Sequence, residues 1–243
     1  MTTSPILGEF VGTAMLILFG TGVVANVCLY GSKGNNSGWG VIAAGWAFAV
    51  MIGVYTAILF GSSDANINPA VTLAFAIVSG NTSKLIPYIS AQFAGAFLGA
   101  VLMYLTYLTQ WDKTDDPRLK LACFSTGPSV RRASANLLTE AIATGALVLG
   151  VAAIFSHSVS PTGPAAALGP FLVGGIVWAV GLSLGGPTGF ATNPARDLAP
   201  RIAHAILPLG QTKGSSDWTY AWIPVVGPCL GAAVAALILR MIL

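Results

Sequence analysis

Two stretches decide how this chain folds: GSSDANINPAVTLAFAIVSG at 61–80 and GGPTGFATNPARDLAPRIAHAI at 185–206. Each contains one copy of the same tripeptide, Asn68-Pro69-Ala70 in the first and Asn193-Pro194-Ala195 in the second. Asn favours the position just before a helix, because its side chain accepts a free backbone N–H there. Pro favours the first helical residue, where its missing donor is not needed. Each tripeptide therefore predicts a helix start, with helices over about 69–79 and 194–206. At 1.5 Å per residue these cover roughly 16–20 Å, about half a bilayer.

The rest of the chain supplies the bilayer context. Of 243 residues, 55% are hydrophobic and only 8% charged, with a mean hydropathy of +0.78, whereas an ordinary soluble domain has about 25% charged residues. A spanning helix needs about 20 apolar residues. Stretches near 5–30, 39–60, 86–109, 135–156, 166–186 and 219–242 meet that need. The first is read as a mature helix and not a signal peptide. It has no basic leading segment, carries Glu9, and runs past any cleavage-like site.

An internal repeat organises these spans. Glu9 and Thr13 in the first recur as Glu140 and Thr144 in the fourth, the two Asn-Pro-Ala elements follow, and Gly95–Gly99 in AGAFLGA matches Gly227–Gly231 in VGPCLGA. Three spans per repeat is an odd number, so the second half enters from the opposite side, giving an inverted repeat. Repeat one covers about 1–120 and repeat two about 131–243, within a single domain over 1–243. The two short helices then enter from opposite faces and meet near the midplane. The irregular backbone ahead of them cannot face lipid with its polar groups unsatisfied, so it must line a wet cavity. The fold class expected is an all-α membrane protein with six transmembrane helices and two re-entrant half-helices. The glycine pairs read as close helix crossings.

Glu9 and Glu140 are costly at membrane depth. Either each accepts hydrogen bonds from the loop backbone of its own repeat, or the pair relays protons as in a pump. Their symmetry and the lack of an intramembrane Lys or His partner favour the scaffold. Cys28, Cys123 and Cys229 show no metal spacing and read as small apolar residues, and His157 and His204 have no companion ligands. The net charge of +3 contains no basic run, so nucleic acid is not an expected partner. With no metal cluster, phosphate loop or paired nucleophile and base, neither an enzyme nor a cofactor is expected.

At these residues the chain resembles the major intrinsic proteins, the aquaporin family, over essentially its full length. The resemblance rests on the paired Asn-Pro-Ala motifs and on Arg196 directly after the second. It is closest to the aquaglyceroporin branch, through Asp197 and Arg201 in NPARDLAPR, Pro224-Val225 in the last span, and Tyr107 late in the third. The resemblance implies a selectivity filter of Trp46, Gly181, Phe190 and Arg196. Gly181 removes the bulk that water-selective members carry there and widens the constriction. Trp46 and Phe190 give an apolar corner for a polyol's carbons, and Arg196 a donor wall for its hydroxyls. Read without the family, Trp46 would be an interface anchor and Phe190 plain packing. The adjacency of Arg196 to the motif argues against that.

Carbonyls of Asp64, Ala65 and Asn66 on one side and of Gly189, Phe190 and Ala191 on the other are expected to offer acceptors, with Asn68 and Asn193 donating at the centre. The half-helix dipoles, about +0.5 charge each, and Arg196 disfavour cations and protons. The function implied is passive conduction of glycerol and similar small neutral solutes, with water. Alternatives are a wide filter for dihydroxyacetone, urea, hydrogen peroxide or protonated lactic acid, a proton-coupled carrier using Glu9 and Glu140, and a structural role. The resemblance also implies a homotetramer in the plasma membrane with cytoplasmic termini. The lack of long polar tails points to a bacterial member.

Three features depart from the family pattern. Asn66 stands where His is common, and the loop before Asn68 is two residues longer than usual. Asp64, in that loop, is read as an exposed loop charge or a group that tunes entry of charged solutes. Third, cytoplasmic termini place Lys33, Lys113, Arg118, Lys120, Arg131, Arg132, Arg196, Arg201 and Lys213 outside, against Lys84 and Arg240 inside, the reverse of the positive-inside rule.

Overall fold

The computed structural model describes residues 3–165 and 167–242. In chain order its helices are α1 (Pro5–Cys28), α2 (Trp39–Leu59), α3 (Pro69–Ser79), α4 (Leu85–Thr106), α5 (Pro117–Ala122), α6 (Ala133–Ile154), α7 (Leu168–Leu184), α8 (Pro194–Ile206) and α9 (Ile223–Ile242). Five of them, α1, α2, α4, α6 and α9, are long and apolar enough to cross a membrane. At 17 residues, α7 sits at the short end of the spanning range. The half-helices α3 and α8 begin where the Asn-Pro signals place them.

Local chemistry sets the helix ends. Ser4 Oγ accepts the Leu7 N–H at 3.2 Å ahead of Pro5. Asn68 Oδ1 accepts Ala70 N–H at 2.9 Å, and Asn193 Oδ1 accepts from Ala195 N at 3.0 Å and Arg196 N at 3.2 Å. α3 stops at Gly80, whose φ of +71° suits a residue without a Cβ. α8 ends under Lys213, whose Nζ donates to the carbonyls of Ala205 and Leu207 at 2.6 and 2.9 Å, so that orphan carbonyls of the last turn are satisfied.

Some expectations shift. The last span starts at Ile223, not near 219. Residues 218–222 turn instead, after Asp217 at φ +49°, so the apolar Trp218 and Trp222 extend the hydropathy signal beyond the helix. The connection at 110–134 contains the short helix α5, begun by Asp116 accepting the Arg118 N–H. Tyr107 lies just past the last turn of α4.

α1 packs on α2 and α4, α6 on α7 and α9, and α2 on α7, while the half-helices cross between halves, α3 onto α9 and α8 onto α4. Glycines make the tightest crossings possible. A Cβ on Gly95 would lie 2.1 Å from the Phe10 carbonyl oxygen, one on Gly99 2.4 Å from that of Ala14, one on Gly227 2.6 Å from Glu140 Cβ, and one on Gly231 2.0 Å from the Ala141 oxygen. Outward, large apolar side chains such as Leu59, Ile86, Leu138, Leu182 and Leu237 are exposed, as lipid-facing positions require. Gly231→Ala should force α6 and α9 apart. Overpacking of this kind costs about 1–3 kcal/mol, to be read as a lower midpoint of thermal unfolding in detergent; an unchanged midpoint would mean that the crossing relaxes freely.

Candidate functional site

The loops ahead of α3 and α8 are built alike. Ala65, Ile67, Phe190 and Thr192 all take left-handed backbone conformations, with φ of +36°, +43°, +41° and +47°, which non-glycine residues adopt only when their surroundings hold them. Two buried carboxylates do the holding. Glu9 accepts Asn66 N–H at 2.8 Å and Ile67 N–H at 2.7 Å, together with the Ser62 hydroxyl at 2.6 Å and the Gln92 amide at 2.7 Å. Glu140 accepts Ala191 N–H and Thr192 N–H, both at 3.0 Å.

A trans peptide points its C=O opposite to its N–H. With the N–H groups of residues 66, 67, 191 and 192 tied back to a carboxylate, the carbonyls of Ala65, Asn66, Phe190 and Ala191 turn the other way. Residues 65, 66, 190 and 191 border an interior cavity of about 390 Å³. Asp64 borders it too. Gly189 is not among the lining residues; a Cβ there would lie nearest Thr126, at 3.4 Å.

At the centre the two loops tie each other together. Asn68 Nδ2 donates to Thr192 O and Asn193 Nδ2 to Ile67 O, each at 2.9 Å. One amide hydrogen of each Asn is therefore spent across the junction, and the second remains. Both half-helices aim the positive ends of their dipoles at this point.

One end of the cavity is bounded by Trp46, Phe190 and Arg196. The Arg196 guanidinium carbon sits 3.9 Å from the Trp46 ring centroid, a cation–π stack. Arg196 Nη1 and Trp46 Nε1 are buried without a partner among the described residues. The Trp46 ring is seated by Gly20, where a Cβ would come 2.2 Å from Cζ3; sequence reasoning did not single out that glycine. Gly181 does not leave an open gap. A Cβ there would meet Phe190 Cζ at 3.0 Å and Ala43 Cβ at 3.2 Å, so the space a fifth-span side chain would fill is occupied by the Phe190 ring.

Around this end, Asp197 and Arg201 form a fully buried pair at 2.8 Å. Asp197 also accepts the Thr126 N–H and hydroxyl at 2.7 and 2.6 Å, and Arg201 donates to the carbonyls of Ser216 and Thr126, both at 2.8 Å. The pair fastens two connections onto α8. His204 is buried beside it, its Nδ1 2.8 Å from Ser216 Oγ. Pro224 and Val225 open α9, and Tyr107 donates to Gly22 O at 3.1 Å; none of the three borders the cavity.

At the other mouth, Asp64 is not a free loop charge. Lys84 Nζ lies 2.7 Å from one carboxylate oxygen, and the Tyr88 hydroxyl 2.9 Å from the other. Partial burial pushes the carboxyl up, but the Lys84 and Tyr88 hydrogen bonds outweigh it and leave Asp64 below its ordinary value. Asn66 donates its side-chain amide to Thr72 Oγ1 at 3.2 Å, and its Oδ1 is buried without a partner among the described residues.

A cavity within an inverted-repeat helical bundle, crossed at its centre by two half-helix N-termini, defines a membrane channel of the aquaporin fold. The family model for the major intrinsic protein matches residues 2–239, and the chain belongs to that family, whose members are channels and not enzymes. The chain is 53% identical over 232 residues to the "Probable glycerol uptake facilitator protein" of Thermotoga maritima, covering 95% of each chain. It is 50% identical over 227 residues to the glycerol uptake facilitator protein of Bacillus subtilis, covering 93% of this chain and 80% of that one. The X-ray structure of the aquaglyceroporin from Plasmodium falciparum superposes with a TM-score of 0.81 at 28% identity, covering 97% of this chain and 94% of the other.

Proposed function

We propose that the chain is a passive channel for glycerol and similar small neutral solutes, with water passing as well. The observation that carries this reading is the end of the cavity bordered by the Trp46 and Phe190 rings together with an Arg196 guanidinium that keeps an unspent donor. A polyol presents carbon along one side and hydroxyls along the other, and this wall offers a match to each. The carbonyls of Ala65, Asn66, Phe190 and Ala191 then accept hydroxyl hydrogens on either side of the Asn68–Asn193 junction. Arg196 and the converging dipoles repel cations. A proton-coupled carrier is disfavoured, because all four carboxylate oxygens of Glu9 and Glu140 already accept hydrogen bonds and neither residue is exposed.

In this reading the whole chain is one channel domain with repeats at about 1–120 and 131–243, working as a homotetramer in a bacterial plasma membrane with cytoplasmic termini. Much of the contrary charge bias has another use. Lys120 donates to Leu209 O and Thr212, Lys213 caps α8, Arg201 pairs with Asp197, Arg131 with Asp217 and Arg118 with Asp116, and Arg196 is in the pore.

The test is stopped-flow light scattering of proteoliposomes under a glycerol gradient. Glycerol should equilibrate downhill much faster than in bare liposomes, without accumulation when a proton gradient is imposed. Flux should also be flat from pH 5 to 8. The titratable side chains lining the cavity are Asp64 and Arg196. A carboxyl held below its ordinary value stays ionised across that range and is neutralised only as pH falls past the usual value of about 3.9. Glycerol entry no faster than in bare liposomes would sink the reading. A solute whose flux instead climbs as pH falls would identify a protonated acid as the better permeant.

A further inference from the structure

We propose that Trp39, the first residue of α2, is a positioning residue of the filter, setting the seat of Phe190 and through it the upper size limit of the permeant. The inference rests on the channel reading above and concerns a residue outside the cavity wall. The Trp39 indole Nε1 donates to the Gly181 carbonyl at 2.9 Å. Its ring meets the Phe190 ring edge-on, with centroids 5.7 Å apart and planes at 84°, the favoured geometry for an aromatic pair.

Both contacts fall on the filter itself, one on the backbone of Gly181 and one on the Phe190 ring. α7 ends at Leu184, so the Gly181 carbonyl lies in its last turn, where backbone carbonyls run short of intrahelical donors. Left free, it would draw water to the back of the filter. Phe190 sits in a left-handed conformation at φ +41°, on a loop that Glu140 grips only from the next residue onward. The three groups converge on Gly185. A Cβ there would lie 2.6 Å from Gly181 O, 2.6 Å from Phe190 Cδ1 and 2.7 Å from Trp39 Cζ2. That convergence explains why position 185 carries no side chain. Trp39 is 40% exposed and would pass for an interfacial tryptophan. An interfacial anchor, however, directs its N–H toward headgroups, and this one is spent on a carbonyl 142 residues away.

Trp39→Phe keeps a ring against Phe190 and removes the donor, and Trp39→Ala removes both. Purified channels of each are reconstituted, and permeabilities to water, glycerol and the four-carbon polyol erythritol are measured per folded channel. Water permeability should stay within about twofold, while the glycerol-to-erythritol ratio falls about threefold in Trp39→Phe and about tenfold in Trp39→Ala. A merely structural role would lower all three permeabilities in proportion, and that result, or an unchanged ratio in both variants, overturns the inference. If the unaltered channel passes no glycerol, the functional reading fails and takes this inference with it. If it passes glycerol and the ratio does not move, the inference alone fails.

Discussion

Gly181→His is expected to cut glycerol permeability at least tenfold while water permeability falls by no more than about twofold. The reason lies in how little room the site has. A single methyl at 181 would already stand 3.0 Å from Phe190 Cζ and 3.2 Å from Ala43 Cβ, closer than most Cβ contacts. An imidazole cannot share that space with the Phe190 ring, so either the ring or the imidazole must move toward Trp46 and Arg196. Both outcomes narrow the passage where Trp46, Phe190 and Arg196 border it. A tenfold loss corresponds to about 1.4 kcal/mol in the barrier, within the roughly 1–3 kcal/mol that forcing a side chain into a packed site costs. Water, one oxygen wide, passes a constriction that a three-carbon polyol does not. Stopped-flow measurement of both permeabilities on the same vesicles gives the ratio directly. A ratio equal to that of the unaltered channel would place the discriminating constriction elsewhere, and the Asn66 side of the cavity would be the next region to alter.

The half-helices were legible because their signals are local. Asn and Pro at fixed positions start a helix whatever surrounds it, and the starts at Pro69 and Pro194 fall at the residues named. The buried carboxylates were legible for a similar reason: a Glu amid apolar residues demands partners, and the repeat pointed to the loop that supplies them. What escaped depends on contacts between distant segments. Gly181 looked like a removed side chain that widens a hole, yet the Phe190 ring, arriving from another element, fills the vacancy. Gly20 and Trp39 carry no signal of their own in the sequence: the one matters because Trp46 lies against it, the other because its N–H reaches the Gly181 carbonyl. The left-handed conformations at Ala65, Ile67, Phe190 and Thr192 carry no composition signal, since none is glycine and most prefer extended or helical backbone. α5, six residues long, has too little periodicity to stand out. The run at 218–222 shows the converse, because hydropathy reports burial in lipid and interface alike and cannot tell a turn from the first turn of a helix.

Glu140→Gln should reduce glycerol and water permeability together, each by at least tenfold, and lower the unfolding midpoint in detergent. The carboxylate offers one oxygen to Ala191 N–H and the other to Thr192 N–H. An amide keeps only one of those acceptors and sets its NH2 against the remaining N–H. Leaving a buried donor unsatisfied costs about 1–3 kcal/mol, and bonds to a charged acceptor are worth roughly 1.5–3 kcal/mol each. The same bonds hold Phe190 and Thr192 in conformations that cost of order 1–3 kcal/mol apiece. With the restraint weakened, the loop relaxes toward ordinary backbone angles. The carbonyls of Phe190 and Ala191 then turn out of the pore, and the Phe190 ring leaves its seat against Gly181. Water relies on the same carbonyls as glycerol, which is why both fluxes fall, in contrast to Gly181→His, where they separate. A proton-coupled carrier predicts a different outcome, in which the neutral variant keeps downhill flux and loses only accumulation against a gradient. Intact downhill flux in Glu140→Gln would therefore overturn the scaffold role, because a restraint on loop geometry cannot be removed without cost to a passage whose acceptors it aims.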